Sequence, residues 1–64
     1  MFKINDIIEY KSWSNSLITG RIIEIKSFTN EILVSTYDGL GNENRFLIEE
    51  SKIINNWTEK FRQY

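Results

Sequence analysis

Cysteine, histidine, proline and alanine are all missing from this 64-residue sequence. Without cysteine or histidine, the chain has no disulfides, no thiolate or imidazole metal ligands, and none of the nucleophile and base pairs that use these side chains. A chain this short buries only about 60% of the surface that its unfolded form exposes, so it needs efficient apolar packing or self-association. The sequence therefore predicts neither a cofactor nor a metal.

The chain also has no marked excess of either charge. It contains eight Lys and Arg and nine Asp and Glu, which gives a net charge of −1. A protein that binds nucleic acid mainly through phosphate contacts usually shows a basic excess or a basic stripe. No apolar run approaches the roughly 20 residues that cross a bilayer, and the first ten residues lack the apolar segment of a signal peptide. We therefore expect a cytoplasmic protein that does not bind membranes.

Large apolar residues are what the chain does contain: eleven Ile, four Phe, three Tyr and two Trp. β-Branched and aromatic residues favour strands, and here they alternate with polar residues between turn-forming clusters. The sequence predicts a single domain over residues 1–64 that is mainly β, with a short C-terminal helix. The predicted strands cover residues 4–11, 17–27, 31–37, 44–49 and 52–55, and the predicted helix covers residues 57–63.

The strand pattern also predicts which residues face the core and where the sheet bends. Ile4 and Ile8 share one parity in the first strand, so we expect both to face the core. Gly20 interrupts the apolar pattern of the second strand, which indicates a bulge, a bend or a close approach of another backbone. The turn-rich segment 38–44 predicts a hairpin connection, and its acidic residues lack the regular ligand spacing of a calcium loop.

Two aromatic residues stand in contexts that predict exposure. Trp13 is the single large apolar residue in a small, polar loop, and Tyr37 points outward beside the hairpin turn. An exposed Trp or Tyr is a typical energetic centre of a protein interface. We predict a partner-binding surface made of these two aromatics and polar residues of the neighbouring hairpin: Trp13, Tyr37, Asp38, Asn42 and Arg45.

The end of the chain changes period from strand to helix. Asn56 followed three residues later by Glu59 resembles a capping box, and Trp57, Phe61 and Tyr64 recur at the spacing of one helix face. A helix of two turns is marginal by itself, so this aromatic face must dock on something. We predict that these three aromatic residues contact either the rest of the chain or a second copy in a homo-oligomer.

The whole layout resembles the SH3-like small β-barrels of the Tudor, KOW and chromodomain kind. The segments that carry this resemblance are Ile4-Asn5-Asp6-Ile7-Ile8, Trp13 in the first loop, Thr19-Gly20-Arg21-Ile22, and Tyr37-Asp38-Gly39 with Ser51-Lys52-Ile53. Asn5 stands where such domains commonly have Gly. The resemblance implies a five-stranded barrel over about residues 4–55.

In Tudor-like domains, aromatic residues at corresponding positions can form a cage that binds methylated side chains by cation–π attraction. The resemblance places Trp13 and Tyr37 in such a cage, with Tyr10 or Phe46 as further walls and Asp38 as the counter-charge. Ordinary core packing and a protein-binding surface are the alternatives for the same aromatic residues.

We expect a non-enzymatic protein-binding module, acting as a small regulator, inhibitor or anti-defence protein. Its abundance of residues with AT-rich codons favours a low-GC bacterial host or one of its phages or plasmids. One alternative is a DNA- or RNA-binding barrel in which bases stack on Trp13 and Tyr37. Another is an oligomer that sequesters a nucleotide. An enzyme is not expected, because the adjacent carboxylates of Glu49 and Glu50 point to opposite faces of a strand.

Overall fold

A computed structural model describes residues 2–61 of the chain. It is mainly β with one short helix at the C-terminal end, as the sequence predicts. The strands are β1 (Ile7–Lys11), β2 (Leu17–Lys26), β3 (Glu31–Tyr37), β4 (Glu43–Glu49) and β5 (Ile53–Asn56). A 3₁₀ turn, Glu50–Lys52, joins β4 to β5, and the helix α1 (Trp57–Phe61) follows β5. No helix in this part of the chain is long and apolar enough to cross a membrane.

The five strands form one antiparallel sheet in the order β4-β3-β2-β1-β5. The first four strands make a meander, and β5 returns to pair with β1. Within residues 2–61 no ladder joins β4 to β5, so the sheet stays open and its closure into a barrel is not seen. The two edges of the sheet are therefore β4 and β5.

Of the alternatives predicted at Gly20, the structure shows a close approach of another backbone, and a bulge follows further along β2. A Cβ atom added to Gly20 would lie 3.1 Å from the carbonyl oxygen of Ser35, so β3 approaches this residue closely. The pairing of β2 with β3 then shifts between Ile22 and Glu24, which leaves an extra residue in β2. Such a bulge bends the strand and increases its twist.

The core lies on one face of the curved sheet. Its completely buried apolar side chains alternate along the central strands: Ile8, Tyr10, Ile22, Ile32 and Val34. Partly buried apolar residues pack around them: Phe2, Ile18, Ile25, Ile48 and Ile53. Alternation places every second residue of a strand on the same face, so the Ile-rich pattern of the sequence becomes a continuous apolar layer.

The prediction that Ile4 faces the core is wrong, since 52% of its surface is exposed. The first strand begins at Ile7 because the preceding residues form a turn, in which the amide of Asp6 donates to the carbonyl of Lys3 at 3.1 Å. Asn5 adopts a φ of 76° in this turn. Asparagine tolerates this left-handed conformation better than most residues, which allows the turn at this position.

The helix α1 has a side-chain cap at its N-terminus and a hydrogen bond to the sheet. The side-chain oxygen of Asn56 accepts a hydrogen bond from the amide of Glu59 at 3.0 Å, which confirms the predicted N-terminal cap. The hydroxyl of Thr58 accepts a hydrogen bond from the amide of Ile7 at 2.7 Å, which ties the helix to the start of β1. The predicted last helical residues and Tyr64 lie outside the described part of the chain.

Candidate functional site

Trp13 is displayed at the tip of a hydrogen-bonded loop between β1 and β2. The amide of Ser12 donates to the carbonyl of Ser16 at 2.9 Å, and the amide of Asn15 donates to the carbonyl of Ser12 at 2.9 Å. Asn15 adopts a left-handed φ of 65°, which turns the chain within this short span. The Trp13 side chain is 98% exposed, so the predicted exposure is confirmed.

An open groove of about 540 Å³ lies between this loop and β4. We call it the aromatic groove, because half of its twelve lining residues are aromatic or aliphatic: Tyr10, Trp13, Ile18, Phe46, Leu47 and Ile48. Phe46 and Leu47 are about half exposed. The open edge of the sheet thus carries apolar surface that the described residues leave uncovered.

Charged residues stand at the margin of the aromatic groove. Lys11, Lys52 and Glu49 belong to its lining. Both lysines, together with Trp13, also line a second groove of about 710 Å³, which we call the flanking groove. Leu17 and Ile54 add exposed apolar surface there. Trp13 and the two lysines therefore form a ridge between two partly apolar depressions.

Tyr10 contributes a buried polar group to the aromatic groove. Only 2% of the residue is exposed, and its hydroxyl has no hydrogen-bond partner among the described residues. Burial raises the pKa of the Tyr10 hydroxyl, because the charged phenolate is poorly solvated there. A buried hydroxyl without a partner costs free energy.

Tyr37 is exposed, as predicted, but it lines a different pocket, with Gly20 and Arg21 among its neighbours. That pocket shares no lining residue with the aromatic groove. The structure therefore brings Trp13, Tyr10 and Phe46 together and leaves Tyr37 out. A cage built on both Trp13 and Tyr37 is not assembled in this arrangement.

Asp38 and Asn42 hold the β3–β4 loop together. One carboxylate oxygen of Asp38 accepts hydrogen bonds from the amides of Leu40 at 2.8 Å and Asn42 at 3.0 Å. The other accepts from the side-chain amide of Asn42 at 3.3 Å. The amide of Asn42, and then that of Leu40, lowers the pKa of the Asp38 carboxyl. Both predicted site residues thus have a structural use in this loop.

Arg45 lies on β4, next to the groove residue Phe46. Its guanidinium is 3.5 Å from the carboxylate of Glu43, and more than half of its side chain is exposed. The hydroxyl of Ser35 donates to the same carboxylate, and this bond, with Arg45 contributing less, lowers the pKa of Glu43. Arg45 is close to the aromatic groove without lining it.

The two aromatic residues of α1 differ in exposure. Trp57 is partly buried, and the amine of Lys60 lies 4.7 Å from the centre of its ring. Phe61 is 69% exposed. Tyr64 lies outside the described residues. The helix is therefore attached to its own chain through Thr58, and Phe61 stays accessible.

Sequence reasoning missed several residues of the aromatic groove, above all Leu47. The signal was the apolar run Phe46-Leu47-Ile48, because such a run in a strand that becomes an edge of the sheet leaves apolar side chains uncovered. No group of His, Cys, Asp and Glu suited to a metal ion occurs in the part of the chain that the structure describes.

Comparison with protein-family models, with curated proteins and with solved structures finds no match to this chain.

Proposed function

We propose that the protein is a non-enzymatic protein-binding module, and that its aromatic groove receives a segment of a partner protein with apolar and acidic residues. The exposure of Trp13 carries this proposal, because a Trp that is 98% exposed lies beside the half-exposed Phe46 and Leu47. Contiguous apolar surface with a polar margin is typical of interaction sites, and Trp is enriched among the residues that dominate binding energy.

The chemistry of the groove specifies the kind of segment that fits. An apolar side chain of the partner would pack between Trp13 and Phe46, where it loses contact with water. Lys11 and Lys52 line both grooves, so a carboxylate beside that apolar residue would meet positive charge at the Trp13 side of the aromatic groove.

The proposal includes the scaffold and its setting. The open five-stranded sheet with its bent β2 is interpreted as an SH3-like small barrel of the Tudor-like kind, which the sequence resembles. In the cytoplasm of a bacterial host, such a module would act as a small regulator or inhibitor, encoded by a phage or another mobile element. The codon-related composition of the sequence supports this setting.

A random peptide library selected on the immobilised protein tests the groove without requiring the sequence of the partner. We expect selected peptides to share an aromatic or aliphatic residue flanked by Asp or Glu. Trp13→Ala should weaken their binding about 30-fold, the effect of losing an interface residue worth about 2 kcal/mol. Phe28→Ala is the matched control, because Phe28 is a fully exposed aromatic residue in the β2–β3 turn.

Equal binding of the selected peptides to Trp13→Ala and to the unchanged protein would overturn the proposed site.

Single-stranded oligonucleotides, titrated at low salt, test the nucleic-acid alternative. Oligonucleotide binding that is lost in Trp13→Ala would favour that alternative over protein binding.

A further inference from the structure

The edge strand β4 has the features of a strand that pairs with another chain. Six of its seven residues are exposed, and its pairing with β3 runs without a register shift from Glu43 to Glu49. Its centre is apolar, with Phe46, Leu47 and Ile48 between one basic and one acidic residue. Edge strands that stay unpaired are usually protected by a bulge, a proline or charged side chains. β4 has no bulge and no proline, and its charged residues lie outside its apolar centre.

The hydrogen bonds at both ends of the β3–β4 ladder show which backbone groups of β4 face outward. The amide of Asp38 donates to the carbonyl of Asn42 at 3.1 Å, and the amide of Glu50 donates to the carbonyl of Asn30 at 2.9 Å. Both pairs continue the register of the ladder. Because the direction alternates along an antiparallel strand, the even-numbered residues of β4 face β3. The amides and carbonyls of Arg45, Leu47 and Glu49 therefore face the open edge.

We propose that β4 pairs with β4 of a second copy of this chain, in an antiparallel ladder with its two-fold axis at Leu47. In this register the Arg45 of each copy lies opposite the Glu49 of the other. Phe46 of each copy lies opposite Ile48 of the other, and Leu47 meets its own counterpart. Opposite charges and apolar pairs at directly opposed positions both stabilise a sheet. A two-fold axis makes every such contact twice.

The charges of β4 select this register over its neighbours. A ladder centred on Arg45 would place the two Arg45 guanidinium groups opposite each other. One centred on Phe46 would place Glu43 of each copy opposite Glu49 of the other. Like charges directly opposite each other are destabilising. A ladder centred on Ile48 would lose both Arg45–Glu49 pairs and run into the 3₁₀ turn that begins at Glu50.

This inference goes beyond the proposed function, because it concerns a second copy of the chain and does not depend on which segment occupies the aromatic groove. The interface is formed mainly by a single pair of strands, which is small for a protein–protein interface. We therefore expect a reversible dimer that sedimentation experiments detect as the protein concentration is raised from about 1 μM to about 1 mM.

Charge exchange tests the register directly. Arg45→Glu and Glu49→Arg should each weaken dimerisation about tenfold or more, since each creates two like-charge pairs across the axis. The double variant Arg45→Glu with Glu49→Arg recreates both pairs with reversed polarity, so it should dimerise like the unchanged protein. Exchanging Glu24 and Lys26, an ion pair 2.8 Å apart on β2, is the control that should leave the dimer unchanged.

Rescue by the double variant separates this proposal from a simple loss of folding, because the double variant does not restore the Glu43–Arg45 ion pair within the chain. A protein that remains monomeric at about 1 mM would overturn the proposal, and so would a double variant that fails to recover dimerisation. A protein that stays monomeric and still binds the library peptides would overturn this proposal and leave the proposed function standing.

Disulfide formation provides a second readout of the axis. The chain has no cysteine, so Leu47→Cys introduces a single thiol at the one position that meets itself. Opposed residues of a hydrogen-bonded antiparallel pair have Cα atoms about 5.5 Å apart, within the range that a disulfide spans. Leu47→Cys should oxidise to a covalent dimer several times faster than Leu40→Cys, whose side chain is exposed in the β3–β4 loop. Equal rates would contradict the proposed axis.

Discussion

Tyr10 places both an apolar ring and a polar hydroxyl in the interior of the protein, and these two groups have opposite effects on stability. Its ring is one of the largest completely buried groups of the core, and it lies close to the position where Gly20 lacks a Cβ atom. Its hydroxyl is buried with it and has no hydrogen-bond partner among the described residues. The ring therefore stabilises the fold while the hydroxyl opposes it.

Tyr10→Phe should leave stability unchanged or raise it by up to about 1 kcal/mol, because the ring stays and an unpaired buried hydroxyl is removed. Thermal and urea denaturation measure this difference. A loss of more than about 1 kcal/mol would mean that the hydroxyl is hydrogen-bonded in the folded protein.

The same variant should change the alkaline stability. Burial raises the pKa of Tyr10 in the folded state, whereas in the unfolded chain a tyrosine ionises near pH 10. Above that pH the unfolded chain binds fewer protons than the folded one, so the stability falls as the pH rises further. Tyr10→Phe should reduce this fall. Tyr37→Phe, at an exposed position, is the matched control.

The stability of the β3–β4 hairpin depends on the ionisation of two carboxylates. Asp38 accepts the amides of Leu40 and Asn42, and Glu43 accepts the hydroxyl of Ser35. These bonds lower the pKa of both carboxyls in the folded state. Their stabilising effect is present above the unfolded pKa values of about 4 and is lost as the pH falls through the lowered folded values.

We therefore expect the loop of this hairpin to open below about pH 4, before the rest of the sheet. Amide hydrogen exchange followed by NMR measures this, and the Asn42 amide should lose protection. The Asn15 amide is the internal control, because it donates to the carbonyl of Ser12 in a loop without carboxylates. Equal loss of protection at both amides would show general unfolding instead. Asp38→Ala should remove most of the acid dependence and lower the melting temperature at neutral pH.

The strands and the terminal helix could be predicted from the sequence because each depends on local periodicity. The error at Ile4 has a local cause too: a left-handed Asn5 ends the extended pattern, and alternation alone does not distinguish this turn from a strand. The aromatic groove could not be predicted in the same way. Its walls come from the β1–β2 loop and β4, and their proximity depends on which strands become the edges of the sheet.

The whole molecule is a small open sheet that a terminal helix completes at one end. Its core has only five completely buried apolar side chains among the described residues, so a hydrogen bond between the helix and the sheet can matter for its stability. α1 contacts β1 through the Thr58 hydroxyl and partly buries Trp57, next to the edge formed by β5. This arrangement favours a structural use of the helix over the predicted oligomer contact, for which only the exposed Phe61 remains available within residues 2–61.

Thr58→Val tests whether the helix stabilises the whole molecule. The change keeps the size of the side chain and removes the hydroxyl that accepts the amide of Ile7 at 2.7 Å. We expect a loss of about 1 kcal/mol, which lowers the melting temperature of a chain of this size by about 4–8 °C. Thr29→Val, in the exposed β2–β3 turn, is the matched control. An unchanged melting temperature would mean that the helix contributes little to the fold, and its aromatic face would then be free to bind a second copy.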